Sequence, residues 1–340
     1  MSKLRLLPLL ACLLLTVGCR KDLCYNHDHH SLGVRFDLVA AWDTVWQRDY
    51  GCDWANRWNP EWSCSYQDLI PSPATGIRAM VYHHETGKIY DERNFPTTGG
   101  RLYLTDETFS ILFYNNDTEY IVFDGLHSVA HTRATTRTLT RSTYMAMHKE
   151  ERTINPPDML YGHYIERYEG ERAVDAYRYE GTLKPLVYTY LIRYEFSAGL
   201  EYVSLARGAL AGMAESVYLH DGHTGNESAT MLYDCTVEPW GVEARVRTFG
   251  APNYPGDHYL RGSEEPAHYA LNLEVKLTNG TLKTFEFDIS DQLVNQPRGG
   301  VITISELEIT DEDAAEPEGG GGFDVDVESW GDIIDIPLEL

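Results

Sequence analysis

Apolar and polar residues alternate along most of the chain in short runs, and Gly, Asn, Asp and Pro punctuate them. "LGVRFDLV" (32–39) places every second side chain on one face, and "GIRAMVYHHETGKIY" (76–90) does so twice, around a Glu-Thr-Gly turn. "RLYLTDETFSILFYNNDTEYIVF" (101–123) predicts a strand, a tight turn and a hairpin around Asn115-Asn116-Asp117. "LKPLVYTYLIRYEF" (183–196) and "LEYVSLARGALAGMA" (200–214) continue the series. "ESATMLYDCTV" (227–237), "VEARVRTFG" (242–250), "YALNLEVKL" (269–277), "TLKTFEFDIS" (281–290) and "GGVITISELEI" (299–309) complete it, with Asn279-Gly280 as a type I′ hairpin signal. No sustained alternation of strand and helix patterns calls for a parallel sheet. The pattern predicts an all-β chain of two consecutive antiparallel β-sandwiches.

The break between them is placed near Ala214–Glu215. This gives an N-terminal sandwich over 32–214, with a Trp-rich insert at 42–66, and a C-terminal sandwich over 215–340. "TRATTRTLTRSTYM" (132–145) reads as a polar excursion, and its Arg133, Arg137 and Arg141 as a solvated loop open to a trypsin-like protease. Residues 306–322 read as an acidic, then Gly-rich, flexible connector, and "FDVDVESWGDIIDIPLEL" (323–340) resumes strand alternation after it. No internal repeat is evident.

The first thirty residues follow a different pattern. Lys3 and Arg5 precede an apolar run from Leu6 to Val17, which has the length and flanks of a signal peptide. As a helix that run would reach roughly 18 Å, short of a ~30 Å hydrocarbon core. Leu15-Thr16-Val17-Gly18-Cys19 resembles a bacterial lipobox, although Thr16 stands where Leu is usual. The resemblance implies cleavage after Gly18, a thioether-linked diacylglycerol on Cys19 and an N-acyl chain on the new amino group. Residues 1–18 are then the signal peptide and 19–31 a tether. Arg20 rather than Asp follows Cys19, which directs the expectation to the outer membrane. His27, His29 and His30 crowd into the tether and read as solvated, so no metal is expected there or elsewhere. No cofactor is expected beyond the acyl groups.

Charge narrows the partners. The formal net charge of −24 excludes nucleic acid and electrostatic adhesion to anionic lipid. Acyl chains would supply the membrane attachment that charge cannot. The sequence holds no GxSxG, HExxH, P-loop or dinucleotide fingerprint, so no enzyme is expected.

Trp42, Trp46, Tyr50, Trp54, Trp58, Trp62 and Tyr66 recur every four residues. Two readings are open: an exposed aromatic platform for glycan or protein, and a set of rings buried against one sandwich edge. Cys52 and Cys64 flank the centre of this insert and are a candidate disulfide outside the cell. Cys235 lies in an apolar strand pattern and reads as a buried thiol.

"CRKDLCYNHDHH" (19–30), directly after the signal peptide, resembles the N-terminal signature of a Bacteroides-type outer-membrane lipoprotein family with a domain of unknown function. "FYNNDTEYIVF" (113–123), "PPDMLYG" (156–162), "SLARGALAGMAESVYL" (204–219), "FDISDQL" (287–293) and "GGFDVDVESW" (321–330) look like its further landmarks. The family is similar in layout to fimbrial anchor and accessory subunits. That resemblance implies two transthyretin-like sandwiches, outer-membrane lipid and fimbrial subunits as partners, and assembly by strand donation. The segment 323–340 is a candidate donor, or else it closes the second sandwich of its own chain. A surface glycan bound by the Trp insert is the alternative partner, and a hydrolase the third reading.

Overall fold

The computed structural model describes residues 32–48, 52–140, 151–256, 260–261, 265–266, 268–315 and 334–336. The first eleven strands are β1 (Val34–Trp42), β2 (Ile77–His83), β3 (Ile89–Phe95), β4 (Gly99–Leu104), β5 (Thr108–Asn115), β6 (Ile121–Asp124), β7 (Arg133–Thr136), β8 (Thr138–Thr140), β9 (Arg152–Ile154), β10 (Tyr161–Glu169) and β11 (Tyr177–Pro185). Then come β12 (Tyr188–Ala198), β13 (Val203–Ala214), β14 (Val217–Tyr218), β15 (Ser228–Glu238), β16 (Gly241–Thr248), β17 (Leu260–Arg261), β18 (Glu265–Pro266), β19 (Ala270–Leu277), β20 (Leu282–Asp288), β21 (Gly300–Glu308) and β22 (Ile334–Ile336).

Two sandwiches share one strand order. In the first, β3-β2-β5-β10 faces β11-β1-β4; in the second, β15-β13-β19-β20 faces β21-β12-β16. Each begins with a strand flanked by an antiparallel neighbour (β4, β16) and a parallel one that ends the unit (β11, β21). This is a structural duplication in a chain with no visible sequence repeat. A sandwich interior accepts many apolar combinations of similar volume, so strand order can persist while side chains change.

The two copies close on opposite sides. In the first, β10 and β11 pair at Tyr161↔Pro185 and Gly162↔Lys184; in the second, β15 bends from β13 across to β16. The core of the first holds Phe36, Ile77, Val81, Phe109, Ile111 and Phe113, and that of the second holds Tyr190, Ile192, Leu210, Met231, Leu271 and Ile302.

A third core joins them. The opposite faces of β2 and β5 present Met80, Tyr82, Leu112 and Tyr114, which β6, β7 and β14 cover with Ile121, Ala134 and Val217. Both faces of β2 and β5 are therefore buried, which is why "AMVY" and "SILFY" read as nearly continuous apolar runs. Leu186 and Val187 also lie in this core and form the passage from β11 to β12. The change of sandwich comes there. The expected break near 214–215 falls after β13, already the second strand of the second unit. An apolar connector offers no polar punctuation to mark it.

Three further expectations change. Asn115–Asp117 is a crossing between sheets and not a hairpin, since β5 pairs with β2 and β10 while β6 pairs with β7. Asp117 there accepts the N–H of Thr75 at 2.6 Å. The "polar excursion" contains β7 and β8, and Thr132, Ala134 and Thr136 are fully buried. Arg133 pairs with Asp124 at 3.2 Å; Arg141 lies outside the described residues. The acidic connector is ordered at its start: β21 runs to Glu308, and a helical turn follows at Asp311–Ala314, capped reciprocally by Thr310 and Asp313. The Lys283 ammonium, followed by the Thr310 N–H and hydroxyl, pulls the Asp313 carboxyl down to about 2.

Candidate functional site

The Trp-rich insert leaves the first sandwich after β1 and lies on the outer face of the second. Trp46 is fully buried and packs with Cys64, Leu69, Leu191 of β12 and Val301 of β21, and Trp54, Trp58, Trp62 and Tyr66 close around them half-buried. Successive rings meet edge to face: Trp46–Trp58 at 6.0 Å and Trp58–Trp62 at 4.9 Å between centroids. Polar bonds fix the insert to the sheet below. Thr189 N–H donates to Trp46 O at 2.8 Å, Trp54 Nε1 to Gln296 Oε1 at 2.8 Å, and Ser63 Oγ to Glu243 Oε2 at 3.2 Å.

Beneath it lies a buried ion pair. Arg193 Nη1 reaches Glu243 Oε2 at 3.3 Å, and the guanidinium lies between the rings of Trp62 (4.6 Å) and Trp240 (3.7 Å). Trp42 stays with the first sandwich, donating Nε1 to Thr97 O at 2.9 Å and meeting Tyr161 edge-on. Among the described residues Trp46 is fully buried and the other tryptophans are half-buried; the insert's rings converge edge to face and clamp the segment after β1 onto the second sandwich instead of lying flat side by side.

Cys52 and Cys64 are not bridged to each other. Cys64 is buried in the Trp cluster, where desolvation raises its thiol pKa, whereas Cys52 Sγ donates to Asn295 O at 3.7 Å. Cys235 is half-buried against the second core. Cys19, His27, His29 and His30 lie outside the described residues.

Strand edges are the other candidate surface. The β3 edge carries Asp91, Glu92 and Arg93, with pairs Arg93–Asp91 and Arg78–Glu92, and is blunted by charge. The side of the second sandwich between β20 and β21 is different. The first sandwich closes its equivalent side by β10–β11 pairing, yet among the described residues β20 and β21 share no backbone pair. Half-buried Phe285 and Phe287 of β20 and Ile304 of β21 line this seam. Two glutamine amides take the place of a neighbouring strand along the start of β21. Gln296 donates to Val301 O and accepts its N–H, and Gln292 does the same at Thr303. Of the tail, Ile334–Ile336 pairs antiparallel with β8 of the same chain and so extends the sheet through β9 and β15.

A cleft of about 480 Å³ between the sandwiches holds Asp68, Asp158, Arg245 and Arg247. Both of its carboxylates accept backbone N–H groups. Asp158 accepts the N–H groups of Glu119 and Tyr120 at 2.7 and 2.6 Å. Asp68 caps a 3-10 turn, where the Ser65 N–H, then its hydroxyl, holds it below the ordinary carboxylate range. Sequence reasoning missed one cluster of ligand-type side chains, His220, Asp221 and His223. The signal was there in two histidines three residues apart around Asp-Gly.

Set against known proteins, the chain is 22% identical to the "Putative fimbrium anchoring subunit Fim4B" of Bacteroides ovatus, over 98% of this chain and 97% of that one. A crystal structure described as a "putative adhesin" from Bacteroides ovatus ATCC 8483 superposes with a TM-score of 0.55 at 18% identity, covering 86% of this chain and 99% of that one. That likeness confirms the all-β, doubled-sandwich fold. Residues 63–234, just over half of the chain, match the family described as "Domain of unknown function (DUF5119)", and the chain belongs to that family.

Proposed function

We propose that this protein is a cell-surface assembly component that fixes or caps a fimbrium-type filament, held in the outer membrane by acyl chains on Cys19, and that it binds rather than catalyses. The observation that carries the reading is the near end-to-end match with a relative named as a fimbrium anchoring subunit, at 98% and 97% coverage. The β20–β21 seam supports it. An extended segment of a filament subunit adding there finds an edge of β20 that is unpaired among the described residues and an apolar floor at Phe285, Phe287 and Ile304. The placement of Ile334–Ile336 on β8 favours the tail as a closing strand of its own chain over a donor. The edge-to-face convergence of the half-buried rings, in place of a flat aromatic surface, weighs against the glycan reading.

The test is co-isolation from detergent-solubilised membranes, with partners identified by mass spectrometry. Filament subunits are expected in the complex, and their yield is expected to fall several-fold with Phe285→Ser/Phe287→Ser. A chain recovered without any filament subunit would contradict the proposal.

A further inference from the structure

The turn after β14 brings three ligand-type side chains together within four residues. Gly222 adopts φ +76°, and its N–H donates to Tyr218 O at 2.9 Å. The positive φ suits glycine and folds the chain back, so that His220, Asp221 and His223 each place one ligand atom within 4.8 Å of the others. Asp221 already spans the two rings, with Oδ1 2.6 Å from His223 Nδ1 and Oδ2 3.4 Å from His220 Nε2. Ligands of a tetrahedral ion at 2.0–2.1 Å stand roughly 3.3 Å apart, so only small side-chain shifts separate this arrangement from a coordination triangle.

The surroundings hold the turn in place. Tyr218 stacks on His223 with centroids 4.0 Å apart and planes within 12°, and Tyr164 of β10 meets His220 edge-on at 6.0 Å. Arg298 Nη2 donates to Gly222 O at 2.7 Å. The turn thus touches β10 of the first sandwich on one side and the approach to β21 of the second on the other. A cleft of about 400 Å³ beside His223, lined also by Tyr254, Asn226 and Glu227, leaves room for water or another donor at an ion.

We propose that His220 Nε2, an Asp221 carboxylate oxygen and His223 Nδ1 bind a divalent transition-metal ion of the zinc type. Two imidazoles and one carboxylate are the borderline nitrogen and oxygen set that suits Zn²⁺, whereas Mg²⁺ and Ca²⁺ take oxygen ligands in larger number. Three protein ligands leave one position open. A shortfall in the outer shell sets the strength. His220 Nδ1 is buried with no hydrogen-bond partner, so an ion on Nε2 moves the ring proton to a nitrogen that lacks an acceptor. Loss of such an outer contact weakens metal sites by about 10–100-fold. The ion crosslinks the turn itself and so stiffens a segment that Tyr164 of the first sandwich and Arg298 beside the second both contact. The inference stands apart from the fimbrial reading, since neither requires the other.

Calorimetric titration of the untagged full chain with Zn²⁺ tests it, alongside thermal unfolding with and without the ion. One ion is expected at this turn, with a rise in unfolding temperature. His220→Gln/His223→Gln is expected to remove that ion, and His27→Gln/His29→Gln/His30→Gln to retain it. Asp221→Asn, which keeps the shape, is expected to weaken binding at least tenfold and decides the matter alone should the double variant fail to fold. An unaltered chain that binds no Zn²⁺, or the same binding in the double variant or in Asp221→Asn, would overturn the assignment.

Discussion

Cys19→Ala is expected to move this protein from the membrane pellet to the soluble fraction. None of the described helices is long and apolar enough to cross a bilayer. The net charge is −24 and becomes two units more negative if Lys3 and Arg5 leave with a signal peptide, so anionic lipid repels the remainder. Under the proposed anchor, attachment depends on hydrocarbon, at about 0.8 kcal/mol per buried CH₂, and two or three acyl chains suffice where one is marginal. Removing the thiol removes the diacylglycerol and the amino-terminal cysteine that would carry the N-acyl chain, so a chain freed of its leader keeps no hydrocarbon. Fractionation with immunoblotting reads the outcome. Sedimentation identical to the unaltered chain would count against the anchor.

Arg193→Met is expected to destabilise the fold by about 3 kcal/mol, because it takes the nearest cation from buried Glu243 and leaves it only the Ser63 hydroxyl and Arg245 at 4.0 Å. Arg193 is 3% exposed and Glu243 6%, so water cannot take over the lost partner. The double change Arg193→Met/Glu243→Met is expected to recover most of that loss, since two apolar side chains can occupy the space of a buried pair with little net cost. Denaturant unfolding of both single variants and the double variant separates the terms. If the single effects simply add in the double variant, the pair is not coupled and the clamp is held by ring packing alone. Tryptophan emission gives a second readout. Loosening of the insert exposes Trp46, Trp58 and Trp62 and shifts their fluorescence to the red.

The strands were legible wherever one face is buried and the other wet. β1, the β2–β3 hairpin, β13 and the β19–β20 hairpin stand where alternation places them, although the turn at Asn279-Gly280 is not type I′: only Gly280 has positive φ, and the loop is longer, closed by Leu277 N–H to Thr281 O. Legibility failed where polar residues are buried or apolar ones make connections. Thr132, Thr135 and Thr136 look like loop residues, but their hydroxyls find carbonyl acceptors at Gly125, Glu215 and Asn155, so a threonine-rich strand can lie inside. Leu186 and Val187 look like strand interior but form the border between sandwiches.

The spacing of the Trp insert suggested an aromatic stripe, yet the described residues there form a short helical turn at Trp54–Arg57 and a 3-10 turn at Tyr66–Leu69, and the rings converge on a sheet more than a hundred residues away. No local pattern encodes so distant a destination. The same holds for the β20–β21 seam, which is visible only by comparison with the closed side of the first sandwich.

The account as a whole is tested most directly by where filaments reside when the chain is missing. In cells that normally make it, deletion of the gene followed by quantification of filament protein in washed cells and in culture medium gives the answer. A surface anchor predicts that filaments pass from the cells into the medium and that the unaltered chain, but not Cys19→Ala, restores them. Filaments that stay cell-bound in undiminished amount without the chain would contradict it.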